Sequence, residues 1–253
     1  MKGPNYQANY LSLAPQVANA EQKGLKVAKM LAVLKDAAII NESAEHSLAI
    51  DIGCSVGYFA HALAPYFSVV AGVDIDLEAL KRATYSGDTR ALFLIGDSQR
   101  LPFGDGTADL VICNHVYEHV PDAQTLFREI NRVLRPGGAC YLGAASRLTL
   151  VEPHYRLPFL SWLPKALAHR YMRATGRGSC YYEKLRTPWS LLRMLSEFER
   201  RDYTLSIIGH PDKYCARDMI PRGSVQDRIP LAVWKLAYWL LPSYVFVLYK
   251  RGR

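Results

Sequence analysis

The chain has no C-x-x-C pair. Its five cysteines, Cys54, Cys113, Cys140, Cys180 and Cys215, are odd in number and far apart, so neither a disulfide framework nor a metal site is expected. Cys54, Cys113 and Cys140 fall in apolar strand-like runs and are expected as buried thiols, because free cysteine packs like a small hydrophobe. Also lacking is any apolar run long enough for a secretory signal or a bilayer span. The opening MKGPNYQANYLSLAPQ is polar and interrupted by proline, and a cytoplasmic location is the expectation. There is no internal repeat and no low-complexity tract.

Two further absences divide the chain. Residues 1–146 contain no tryptophan and carry 12 Lys and Arg against 15 Asp and Glu, a net of −3. Residues 147–253 are poor in acid: they carry 19 Lys and Arg against 8 Asp and Glu, a net of +11, and hold all four tryptophans, Trp162, Trp189, Trp234 and Trp239. A basic surface of this kind either attracts anionic partners or is simply a solvated face. With 253 residues, 50% hydrophobic and 21% charged, the composition suits one domain plus an elaboration.

What is present is an alternation. Leu25, Ala28, Leu31, Ala32 and Leu34 recur at helical spacing between about Ala20 and Ala38, which predicts a leading helix. SLAIDIG, SVVAGVDID, ALFLIGD, ADLVICNHV and ACYLGAA read as strands apolar throughout. GYFAHALAPYF, LEALKRATYS and DAQTLFREINRVL read as helices, the last begun by Asp122 and ended by RPGG. Uniformly apolar strands separated by helices predict a parallel sheet covered on both faces.

The segment Gly53-Cys54-Ser55-Val56-Gly57 admits two chemistries. G-x-S-x-G is the nucleophile elbow of a serine hydrolase. That reading needs several preceding strands and a glycine-rich oxyanion loop, whereas Ser55 follows the first strand and only Gly3 and Gly24 lie upstream. As a loop between the first strand and helix of a doubly wound sheet, the same residues sit where cofactors bind. Asp74 ends the second strand 21 residues after Gly53, where an acid reaches ribose hydroxyls. Asp51 makes the entrance acidic, which repels a pyrophosphate and favours a cation.

AIDIGCSVGYFAHALA, VAGVDID, GDSQRLPFGDGTADLVICNHVYEHVPD and LFREINRVLRPGGACYLGA resemble the successive motifs of class I S-adenosylmethionine-dependent methyltransferases, in the methyltransferase type 11 branch. The likeness spans about residues 47–146. It implies a Rossmann-like seven-stranded α/β sheet with helices on both faces and a helical lid inserted after the fifth strand, and S-adenosylmethionine as cofactor. It implies that Asp51 and Gly53 face the methionine end, with Ser55 and Gly57 completing the loop; Asp74 binds the ribose and Ile75 packs on the adenine. Asp97 and Ser98 would read the adenine's amino edge, and Asn114 would approach the methionine or the acceptor. Ser55 stands where the family most often has glycine. The implied organisation is an N-terminal helical cap over 1–46, the core over 47–146, a lid over 147–200, and strands with a helix completing the sheet over 201–253; SLLRMLSEF reads as a helix, RDYTLSIIG as the sixth strand and PSYVFVLYKR as the seventh, giving the sheet an antiparallel edge.

If the acceptor is a hydroxyl, a base must take its proton, and histidine is the usual group. His115 is near the cofactor and His154, in EPHYRLPF, is near the lid; both are candidates. Glu118 and His119 are read as organising the turn before Asp122. In IPLAVWKLAYWLL the residues Trp234, Tyr238 and Trp239 predict a core helix beneath the last strands, with a peripheral membrane contact as the alternative. The basic, aromatic C-terminal part points to O-methylation of an anionic small molecule, glycan or lipid-linked acceptor. A quinone or isoprenoid-lipid methyltransferase, a tRNA methyltransferase, and a non-catalytic S-adenosylmethionine-binding partner protein stay open. Nucleic acid is disfavoured because the basic residues are dispersed.

Overall fold

The computed structural model describes residues 20–40, 48–84 and 90–252. The expectations for the rest of the 1–46 cap and for the end of LEALKRATYS lie outside the described residues.

Five strands alternate with helices in the order the sequence predicts: β1 (Leu48–Ile52), β2 (Val69–Asp74), β3 (Ala91–Ile95), β4 (Ala108–Asn114) and β5 (Leu134–Ala145). Between and around them run α1 (Ala20–Asp36), α2 (Tyr58–Leu63), α3 (Leu77–Thr84) and α4 (Ala123–Val133). Asp122 caps α4 by accepting a hydrogen bond from the Gln124 amide at 2.9 Å. α4 stops at Val133, just ahead of RPGG as expected; Leu134 pairs with Ala108, residues 135–138 fall in a register shift with Gly137 in the left-handed region, and continuous pairing of β5 begins at Ala139. The insertion after β5 consists of a small hairpin, β6 (Val151–Glu152) with β7 (Leu157–Pro158), and helix α5 (Lys165–Ala174). There follow α6 (Pro188–Met194), β8 (Phe198–Asp202), α7 (Thr204–Gly209), α8 (Val225–Arg228), α9 (Leu231–Leu236) and β9 (Ser243–Lys250).

The seven main strands form one sheet in the order β3-β2-β1-β4-β5-β9-β8. β1 to β5 pair in parallel, and β9 is antiparallel to both β5 and β8. The antiparallel strand therefore sits one place in from the edge, not at it. Strand order reverses between β1 and β4, which opens a crevice at their carboxyl ends. Alternate residues of each strand serve opposite faces. Ile50, Ile52, Val111, Cys113, Cys140 and Leu142 pack with Leu126, Phe127 and Ile130 of α4, whereas Ala49, Leu110, Ile112 and Tyr141 pack with Met30, Val33 and Leu34 of α1 and Phe59 and Leu63 of α2. Cys54, Cys113 and Cys140 are buried thiols.

The insertion is closed at its ends by the Ser146–Arg186 bridge and by Arg147 N–H donating to Arg186 O at 2.9 Å, while Leu191 of α6 and Leu195 beyond it belong to the main core. Two expectations are corrected. TLSIIG is helix α7, because β8 stops at Asp202, whose carboxylate accepts from the Thr204 amide at 2.8 Å and starts the turn. α9 is no core helix: none of its residues is buried, and Leu236 is 85% exposed, although Trp234 and Tyr238 pack against the core and Leu241, which ends the apolar run, is buried in it. No described helix is long and apolar enough to cross a membrane.

Candidate active site

The crevice at the strand ends is the mouth of a cavity of about 1170 Å³, large enough for a nucleoside-sized cofactor and a second molecule. One end of it is built from the loop after β1. Gly53 N–H and Cys54 N–H donate to Val73 O at 2.8 and 3.2 Å, folding the loop onto the end of β2. Gly53, Ser55 and Gly57 all have left-handed φ, at 65°, 50° and 81°. A Cβ on Gly53 would stand 2.7 Å from Val116, so glycine is required there for space as well as for conformation. Ser55 holds its angle against a cost of about 1–2 kcal/mol. Its amide donates to Asp74 Oδ2 at 2.8 Å, an alignment that the left-handed turn provides.

Asp74 is fixed on both oxygens, since the Asp76 amide donates to Oδ1 at 2.9 Å. Burial pushes its carboxyl above the usual range, while these amides pull it back. Asp76 has a different task and caps α3, accepting from the amides of Glu78 and Ala79 at 3.1 and 3.2 Å. Ile75, Asp97 and Ser98 line the same end of the cavity, and Asp97 is held in an Asx turn by the Gln99 amide at 2.8 Å.

Two predicted residues are not on the wall. Gly57 lies behind it, where a Cβ would meet Phe93 at 2.7 Å; its role is to let α2 start against β3. Asp51 is 1% exposed and sits behind Gly53 and Ser55. Its Oδ2 has no partner among the described residues. Burial raises its pKa to about 7, with Lys23 opposing and Asp74 adding to the rise. It acts on the cavity through charge.

The other end of the cavity is made by the end of β4 and by the insertion. Asn114 reaches over Gly143, where a Cβ would stand 2.1 Å from Asn114 Oδ1. His115 adopts a left-handed φ of 58° and its amide donates to Gly143 O at 2.8 Å, a strained arrangement of the kind found at functional turns. Its Nδ1 lies 3.2 Å from Glu118 Oε1. Glu118 has no exposed surface, and its Oε2 lacks a partner among the described residues. Burial raises the Glu118 carboxyl, but the His115 hydrogen bond and charge outweigh it and the net direction is down. Burial pushes the His119 imidazole down to about 4, so it is neutral at physiological pH.

His154 occupies the tip of the β6–β7 hairpin. The Glu152 carboxylate, itself fully buried, accepts from the amides of His154 and Tyr155 and faces His154 Nδ1, all at 2.8 Å. Burial lowers the His154 pKa, yet Glu152, Glu183 and Glu118 together carry it above the ordinary value. The His119 and His154 rings meet edge to face with centroids 5.0 Å apart. The structure thus brings His115 and His154 into one cavity with Gly53, Ser55, Asp74, Ile75, Asp97, Ser98 and Asn114.

Sequence reasoning missed the opposite wall. Lys23, Lys26 and Lys29 of α1 line the cavity, and their i, i+3, i+6 spacing on the leading helix was the available signal. Burial and neighbouring Lys26 lower the Lys23 pKa, with Asp51 and Asp74 opposing. Lys29 is paired with Asp218 at 3.3 Å. The buried carboxylates Glu152 and Glu183 were missed as well, and no short motif announces them.

A parallel sheet reversing at β1/β4, with an antiparallel β9 beside β5 and an acid-lined glycine loop at the switch point, is the class I methyltransferase fold. The methyltransferase domain family matches residues 50–142, and that stretch is a methyltransferase domain. A ubiquinone biosynthesis O-methyltransferase of Psychrobacter cryohalolentis is 30% identical over 162 residues, covering 60% of this chain and 59% of that protein. A 2-methyl-6-phytyl-1,4-hydroquinone methyltransferase of Synechocystis is 35% identical over 92 residues, covering 35% of this chain and 29% of that protein. The chain thus spans less than two thirds of either relative's length. Among solved structures, an S-adenosylmethionine-dependent methyltransferase from Mesorhizobium loti superposes with a TM-score of 0.55 at 21% identity, covering 85% of this chain and 95% of that one.

Proposed function

We propose that this chain transfers the methyl group of S-adenosylmethionine to an oxygen of an anionic small-molecule acceptor. The observation that carries the reading is a set of carboxylates at three neighbouring strand ends, Asp74 and Asp97 lining one end of a cavity and Asp51 buried behind that wall, while the other end holds His115 and His154. The residues fit the cofactor. Asp51 is a buried acid with an orphaned oxygen, a source of negative potential for a cationic group. Each oxygen of Asp74 accepts one backbone amide and keeps a lone pair for a ribose hydroxyl.

Bound there, S-adenosylmethionine supplies a methyl already activated on a sulfonium. The protein's task is positioning and exclusion of water. Asn114 and the strained His115 lie where the cofactor end gives way to the acceptor end; His115 takes the acceptor's hydroxyl proton, and His154, braced by Glu152, stands on the acceptor side of the cavity. The anionic character of the acceptor is supported by Lys23, Lys26, Arg156 and Arg177 on the cavity wall. A second reading, a quinol acceptor, is favoured by the named activities of the two curated relatives.

The test is incubation with methyl-deuterated S-adenosylmethionine and a fractionated cell extract, followed by mass spectrometry. Label in anion-exchange-retained species is the expected result. Label in the organic phase supports the quinol reading instead, and cofactor binding by calorimetry without label in any fraction overturns the enzymatic one.

A further inference from the structure

We infer that Glu118, His119 and His154 form a site for one divalent transition-metal ion at the acceptor end of the cavity. One ligand atom from each residue lies within 4.8 Å of the other two. Two imidazoles and a carboxylate suit zinc, cobalt, manganese or iron better than magnesium or calcium, which prefer all-oxygen shells.

A second observation points the same way. Glu118 is completely buried, and while His115 sits beside its Oε1, its Oε2 is without a partner among the described residues. Glu183, at 6% exposure, has an orphaned Oε2 on the same wall. With Glu152 this makes three buried carboxylates where insertion meets core. Burying an anion without compensation costs several kcal/mol; Glu152 is already served by two amides and His154, and a dication offsets the open oxygens of Glu118 and Glu183. The surroundings of His154 are those of a metal ligand, because a carboxylate on Nδ1 fixes the tautomer and leaves Nε2 for the ion. Ligand atoms around an ion at ~2.1 Å stand about 3.5 Å apart, so the cluster must tighten by roughly 1 Å. The short β6–β7 hairpin, paired only at Val151–Pro158 and Glu152–Leu157, carries His154 and can supply that movement.

Three protein ligands leave coordination positions for an acceptor oxygen. This role rests on the methyltransferase reading; the ion binding does not. An ion-bound hydroxyl is more acidic. Its O–H bond breaks with the proton passing to His115, the oxygen's electron pair forms the bond to the methyl carbon, and the S–C pair stays on sulfur.

The test uses the full chain without a histidine tag, stripped with chelator and titrated with Co²⁺ while the visible d–d absorption is followed. A band saturating at one equivalent is expected. Glu118→Gln and His154→Asn should each weaken it more than about 100-fold, and Glu152→Gln about 10–100-fold, as loss of an outer partner does. His61→Asn, on α2, should change nothing. Circular dichroism confirms that each variant is folded, and the metal content of the unstripped protein gives an answer independent of the variants. No saturable band, or an unchanged titration in folded Glu118→Gln, overturns the site. Calorimetry with S-adenosylmethionine on the same stripped protein separates the two proposals: cofactor binding without Co²⁺ binding sinks the ion alone, and Co²⁺ binding without cofactor binding sinks the cofactor reading alone.

Discussion

Asp74 and Asp76 are separated by one residue and do unrelated work. The first offers both oxygens toward the cavity edge while backbone amides hold it; the second is spent on the first turn of α3. Asp74→Ala should therefore weaken S-adenosylmethionine binding at least ~100-fold, since two charge-assisted hydrogen bonds are lost. Asp76→Ala should leave that affinity nearly intact and lower stability by about 1 kcal/mol, the usual worth of a helix cap. Calorimetry and urea denaturation distinguish the two outcomes. Asp51 couples function to stability. Its carboxyl titrates near 3.8 when free and at about 7 in the fold, so the folded chain retains a proton that the unfolded chain has released. That stabilisation is complete below about pH 4 and disappears as pH rises through 7, a change of up to ~4 kcal/mol. Asp51→Asn should match the parent's melting temperature at low pH and exceed it at pH 8, while binding the cofactor less well at pH 8; thermal melts and calorimetry across this range decide.

At the scale of elements, the strand ends were legible because they are local. Strand, glycine loop and acid follow one another within one contiguous motif, and the alternation of apolar runs with helices dictated the parallel sheet. The misreadings come from tertiary context. TLSIIG has the β-branched residues of a strand, but Asp202 turns the chain into a helix before them. WKLAYWLL looks like core, and its exposure depends on packing that no local pattern encodes. Two consequences can be measured. Gly143→Ala places a carbon against the Asn114 amide oxygen and should cost about 1–3 kcal/mol by overpacking, with weaker cofactor binding as Asn114 is displaced. Leu236→Ser combined with Leu240→Ser, at positions 85% and 47% exposed, should move the melting temperature by less than ~2 °C; a larger fall would mean that this face is covered.

Over the whole molecule, the cofactor end and the acceptor end differ in how far apart their parts lie in sequence. Nearly all of the proposed cofactor end comes from the first five strands, so its residues follow one another in one contiguous motif. Glu118 with His119 and Glu152 with His154 come from different segments and meet only when the β6–β7 hairpin docks, so no spacing rule could pair them, and the absence of C-x-x-C gave no warning of a metal site. The lysine wall of α1 was hidden for the same reason. That docking is held by backbone bonds at both ends of the insertion, Arg147 to Arg186 and Lys184 to Glu118 O. The insertion is consequently not an exchangeable cassette. Residues 147–186 grafted onto another core of this fold would bring their histidine and its carboxylate but meet no counterpart at the end of β4. Transplanting acceptor specificity thus demands that the β4 turn and the hairpin travel together.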